Sequence, residues 1–159
     1  MSRSRALLQT LVGFDTTSRE LIAFVRDYLA SHGVPSELIY NEARTKANLF
    51  ASIGPVEVPG IVLSGHTDVV PVDGQPWSVP PFELTERDGR LFGRGTADMK
   101  GYIACVLALV PALVAATLRR PVHIALSYDE EVGCLGVRSL LSVLAQRPVK
   151  PMLCIIGEP

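Results

Sequence analysis

Charge is scarce in this sequence and almost balanced: 19% of the 159 residues are charged, 15 basic against 16 acidic. A net charge of −1 offers no field to draw in nucleic acid or an anionic membrane, so partners have to be argued from local sites. Cysteine is scarce too. Cys105, Cys134 and Cys154 are odd in number and form no C-x-x-C pair, the pattern of reduced thiols in a cytosol rather than of a disulfide framework. With 12 prolines and 13 glycines the chain is neither collagen-like nor low in complexity. Long apolar runs are also missing. The N-terminal stretch is interrupted by Gln9 and Thr10, too soon for a signal peptide. Tyr102 to Leu118, seventeen residues without a charge, contains Pro111 and reads as a two-sided core helix rather than a membrane span.

What the sequence does have is a 48% hydrophobic fraction, enough to bury the core of about one domain. Arg5–Val12 and Ser18–Ser31 read as amphipathic helices, with Thr16, Thr17 and Ser18 as N-cap chemistry and Gly33 as a stop. Strands are expected at Glu37–Tyr40, Asn48–Ile53 and Gly60–Ser64. A proline-rich loop then carries the only tryptophan, and Glu83–Glu86 with Arg90–Phe92 form a hairpin about Asp88-Gly89. Beyond it come a helix over Met99–Leu118, a strand over Val122–Tyr128, a helix over Gly136–Gln146 and a strand over Met152–Ile156. This alternation predicts an α/β layer sandwich with a largely parallel central sheet.

Three of the buried strands run straight into ionisable residues: His66-Thr67-Asp68, Asp129-Glu130-Glu131 and Glu158. Loops beyond the carboxyl ends of parallel strands are where α/β proteins place their sites. Asp98, just ahead of the long helix, adds a fourth carboxylate. A set of one histidine with aspartate and glutamate suits zinc or cobalt, and suits calcium less because of the imidazole. Asp68, two residues past His66, can accept a hydrogen bond from the ring nitrogen that a metal leaves free. Glu130 and Glu131 can serve one site only at a strand end, one as a ligand and the other free as a base.

Four runs carry a resemblance: Ser64-Gly-His-Thr-Asp-Val-Val, Gly93-Arg-Gly-Thr-Ala-Asp-Met-Lys-Gly101, Asp129-Glu-Glu-Val-Gly-Cys-Leu-Gly136 and Gly157-Glu-Pro. Together they resemble the acetylornithine deacetylase and succinyl-diaminopimelate desuccinylase family of dinuclear zinc amidohydrolases, and look closer to the deacetylase. The resemblance implies the N-terminal part of a zinc-peptidase-like three-layer α/β/α catalytic domain with a mostly parallel mixed sheet, spanning residues 1–159. It implies two zinc ions, replaceable by cobalt, with His66 and Glu158 on the first, Asp98 bridging and Glu131 on the second. Glu130 would be the general base, Asp68 the partner that orients His66, and the Asp98–Met99 peptide bond cis. The implied reaction is removal of the acetyl group from N-acetylornithine in the cytoplasm, as part of arginine biosynthesis. Desuccinylation and related aminoacylase or metallopeptidase activities are the alternatives.

Counting ligands leaves the second zinc one short, since His32 and His123 sit away from the strand ends. The family supplies that ligand as a distal histidine, and a separate lid domain forms its dimer and binds substrate. The chain therefore reads as the first portion of a larger enzyme, with a small N-acyl amino acid as its partner and no nucleic acid or membrane. A metal-binding but inactive fragment is the rival of another class. Gly93-Arg-Gly95 lacks the further glycine of a dinucleotide fingerprint, and Cys134 has no nearby histidine to make it a nucleophile. The low charged fraction and the mean hydropathy of +0.29 are expected to show as apolar surface at a sheet edge and on helix faces.

Overall fold

A computed structural model describes residues 2–15 and 20–159. The N-cap expectation at Thr16, Thr17 and Ser18 lies outside them. Helix α1 (Arg3–Val12) starts two residues earlier than expected because Ser2 is its cap, its hydroxyl accepting from the Arg5 N–H at 3.3 Å. Helix α2 spans Glu20–Ser31. Strands β1 (Ser36–Tyr40), β2 (Ala47–Ile53) and β3 (Ile61–His66) follow, then the β4/β5 hairpin of Thr85–Arg87 and Arg90–Phe92. Asp88 and Gly89 take φ of 54° and 70°, the left-handed pair that a tight two-residue hairpin turn requires. Helix α3 (Lys100–Ala115), strand β6 (Val122–Ser127), helix α4 (Val137–Ala145) and strand β7 (Leu153–Ile156) complete the order.

The main sheet runs β1-β2-β6-β3-β7. β1 with β2 and β2 with β6 pair antiparallel, while β3 lies parallel to both β6 and β7, so β2 alone runs against the other four strands. The sheet is thus mixed and mostly parallel by direction. Alternation along the strands sorts the two faces. Leu49, Ala51, Ile53, Ile124 and Leu126 join the α1–α3 layer in one core, and Phe50, Val62 and Ala125 meet Leu140 of α4 in another. Helices on both faces make three layers.

Three expectations need correction. α3 is not covered all round: Ile103, Leu107 and Val110 are buried, but Leu109 and Val114 are half exposed, because only one side of the helix meets the sheet and its neighbours. Among the described residues no helix is long and apolar enough to cross a membrane. β3 extends to His66, which pairs with Ser127, so the histidine sits on the last rung of the sheet instead of in the loop beyond it. β7, expected among the buried strands, is exposed along its length because it is the edge of the sheet, and Leu153, Ile155 and Ile156 form the apolar surface expected at such an edge.

Candidate metal centre

Because β6, β3 and β7 are parallel neighbours, their carboxyl ends open on one side of the molecule. His66 ends β3 and is 1% exposed. Its Nε2 lies 2.9 Å from Asp98 Oδ1, 3.7 Å from Glu158 Oε1 and 3.9 Å from Glu130 Oε2. Three of the six residues singled out in the sequence therefore face the ring nitrogen of a fourth. Asp98 arrives from the turn before α3, across a cis bond to Met99, the isomer that the resemblance implies.

Asp68 faces His66 through both its backbone and its side chain. The nearest acceptor to His66 Nδ1 is the backbone carbonyl of Asp68, at 2.9 Å, with its carboxylate Oδ1 at 3.4 Å. That carboxylate also takes two backbone N–H groups, of Glu130 at 3.1 Å and Glu131 at 3.0 Å. One residue thus ties the histidine to the Asp-Glu-Glu turn. Burial alone would raise the Asp68 pKa, but its bonds to His66 and to the two N–H groups outweigh burial and lower it.

Residues that sequence reasoning passed over hold the same turn. Lys46 pairs with Asp129 at 2.5 Å, and the buried Asn48 amide donates to the Gly136 carbonyl and the Ser139 hydroxyl, both at 2.9 Å. Asp129 has φ of 54°, uncommon for a non-glycine residue, and it reverses the chain as β6 ends. Lys46 and Asn48 flank the start of β2, more than 80 residues before the turn, and neither belongs to a motif. Cys134 donates its thiol to Glu130 Oε1 at 3.2 Å, and this bond, with burial and the Glu130 charge, raises the thiol pKa. The thiol is therefore held protonated, against a nucleophilic role.

Electrostatically the cluster is crowded with negative charge. Burial opposes a charged His66, but hydrogen bonds to Asp68 and Asp98 and the charges of Asp68 and Glu158 prevail and raise its pKa to about 9. Burial raises Glu131 and Glu158, and neighbouring carboxylates, Asp98 first among them, push both further. His66, Asp98 and Glu158 each offer a ligand atom, all within 4.8 Å of one another. One imidazole and two carboxylates around a common point, with the second imidazole nitrogen already engaged and excess negative charge, fit a zinc-type dication. The Glu131 carboxylate lies outside that trio and feels Asp98 as its strongest charged neighbour.

A model of peptidase family M20/M25/M40 matches residues 62–159. An acetylornithine deacetylase from Pasteurella multocida (strain Pm70) is 42% identical over 147 residues, 92% of this chain and 37% of that protein. The acetylornithine deacetylase of Shigella sonnei (strain Ss046) is 39% identical over 146 residues, 91% of this chain and 37% of that protein. The chain thus spans little more than a third of these relatives' length. Among solved structures, human carnosine dipeptidase 1 superposes with a TM-score of 0.82 at 23% identity, over 98% of this chain and 38% of the other. An M20 family metallo-carboxypeptidase from Sulfolobus solfataricus gives 0.83 at 21% identity, over 99% and 37%. At such identities the likeness concerns the fold.

Proposed function

Since the chain belongs to peptidase family M20/M25/M40, we propose that its centre serves a metal-dependent amide hydrolase that removes the acetyl group from N-acetylornithine, giving ornithine and acetate. The observation that carries this reading is the convergence of Asp98, Glu130 and Glu158 on His66 Nε2. On this reading His66, Asp98 and Glu158 hold one zinc ion and Asp98 with Glu131 holds a second, cobalt being able to replace either. The pair, when bound, would supply Lewis acidity toward the amide carbonyl and lower the pKa of bound water to about 7. Glu130, left without a metal, takes the proton from the attacking water and returns it to the leaving amine. Asp68 keeps His66 in the tautomer that presents Nε2, and fixes the two backbone N–H groups from which Glu130 and Glu131 project.

The proposal extends to the whole protein: residues 1–159 as the N-terminal portion of its catalytic domain, a cytoplasmic place in arginine biosynthesis, and a homodimer formed through a lid domain. The test is turnover by the full-length protein of N-acetylornithine against succinyl-diaminopimelate and a dipeptide, alongside metal analysis. Preference for the acetylated substrate with close to two zinc ions supports the reading, and preference for another substrate overturns its acyl assignment. One observation favours a second reading, an inactive metal-binding chain: only three ligand atoms cluster among the described residues. At most one zinc without turnover supports that alternative.

A further inference from the structure

The first turn of α3 touches both strand ends that deliver ligands to the three-residue centre. Met99 is fully buried, and its Sδ accepts the His66 backbone N–H at 3.1 Å. The glycine before His66 leaves no room for more: a Cβ on Gly65 would stand 2.9 Å from Met99 Cε and 3.5 Å from Tyr102 Cδ1. One turn along the helix, the Tyr102 ring presses against the other strand end. A Cβ on Gly157 would overlap Cγ, Cδ1 and Cδ2 of that ring, so the backbone beside Glu158 rests directly on the aromatic carbons. The phenol hydroxyl donates to the Ile155 carbonyl at 3.2 Å, and the Gly157 N–H donates to the Ser64 carbonyl at 3.2 Å. The segment is therefore set from two sides, by β3 and by Tyr102.

From this contact we infer that Tyr102 is a positioning residue for the metal centre. Its ring sets the height of the Gly157-Glu158 backbone over α3, and so the distance of the Glu158 carboxylate from His66 and Asp98. Asp98, four residues before Tyr102, enters from the same turn, so one rigid unit spaces all three ligands. Metal sites tolerate about 0.2 Å in ligand distance. A flat ring packed against Gly157 holds that spacing more firmly than a flexible or smaller side chain does. The inference rests on the proposed metal-binding role of His66, Asp98 and Glu158.

Cobalt(II) titration of the full-length protein, followed by visible absorption, tests it with Y102F, Y102A, Y102L and E158Q. The unfolding midpoint of each metal-free variant is recorded beside it. Y102F keeps the ring and is expected within about threefold of wild-type affinity with the same band shape, whereas Y102A binds about 10- to 100-fold more weakly with an altered band, the range for losing support behind a ligand. Y102L fills the volume without the flat ring, and it too is expected to bind more weakly than Y102F; it decides the matter if Y102A does not fold. Wild-type cobalt affinity and spectrum in Y102A or Y102L overturn the inference alone, provided E158Q alters the spectrum. An E158Q spectrum identical to wild type overturns the metal assignment, and the inference with it.

Discussion

Replacing Asp68 by asparagine tests the idea that one carboxylate couples the histidine to the Asp-Glu-Glu turn. The side chain is only 15% exposed, its two oxygens accept the N–H groups of Glu130 and Glu131 at 3.1 and 3.0 Å, and Oδ1 stands 3.4 Å from His66 Nδ1. Asparagine is nearly isosteric, but one of its ends is a donor, so one N–H loses its acceptor and meets another N–H. Hydrogen bonds to a charged group are worth about 1.5–3 kcal/mol, which puts the expected loss at about 2–3 kcal/mol. For a chain of this size that lowers the unfolding midpoint by about 4–12 °C. The sign with pH follows from the depressed pKa of Asp68. Its contribution is present above the unfolded value of about 3.9 and is lost as pH falls through the lower folded value, so the wild type should show an acid limb that D68N lacks. Thermal unfolding of the metal-free proteins between pH 2 and 7 measures both effects. A D68N midpoint within about 1 °C of wild type at pH 7, or an equal acid limb in both proteins, refutes the coupling.

Three further outcomes are expected. Glu130→Gln in the full-length protein should keep its metal and lose most turnover, by about 100-fold or more if Glu130 is the base, and near wild-type rates would end that assignment. In the metal-free protein the raised pKa of His66, about 9, gives a stabilisation that is full below about pH 6.5 and fades as pH rises through 9. Zinc or cobalt must displace that proton, so apparent affinity should climb with pH up to about 9, and calorimetry at pH 7 in buffers of different ionisation enthalpy should find proton release on binding; no release would contradict it. Gly157→Ala forces a methyl group into the Tyr102 ring, and should cost about 1–3 kcal/mol in chemical unfolding as well as weaken metal binding, whereas a neutral substitution would show that the contact is loose.

Much of this architecture was legible in advance because its causes are local. Apolar runs that give way to His66, Asp129 and Glu158 mark strands whose ionisable residues gather at their carboxyl ends, and parallel neighbours in the sheet bring those ends together, although β7 proved an exposed edge strand. The Asp88-Gly89 turn was equally readable from its dipeptide. What escaped depends on approach in three dimensions. Nothing in the sequence around Lys46 or Asn48 says that they meet a turn more than 80 residues away. The two-sided reading of α3 failed because an uncharged helix resembles a doubly buried one, although Leu109 and Val114 stay exposed. The role of Asp68 was half visible, since its spacing from His66 was right, but the N–H groups it takes belong to another strand's end.

The two adjacent glutamates show how the fold divides labour between identical side chains. Both leave the end of β6 where Asp129 reverses the chain, and both have their backbone N–H groups held by Asp68, so neither differs in how firmly it is anchored. They differ in what faces the carboxylate. Glu130 has one oxygen occupied by the Cys134 thiol at 3.2 Å and the other 3.9 Å from His66 Nε2, a position from which it can reach a water at the centre. Glu131 feels Asp98 as its strongest charged neighbour, and burial together with that repulsion raises its pKa. Two carboxylates that repel each other are stabilised by a cation between them, which is the relation that the proposed second metal requires of Asp98 and Glu131. A base, by contrast, has to keep a lone pair free of metal while staying within reach of the proton it takes. The thiol bond satisfies one oxygen of Glu130 without consuming the other, so the surroundings of the two side chains support the proposed division, ligand for Glu131 and base for Glu130, even though the two are chemically the same.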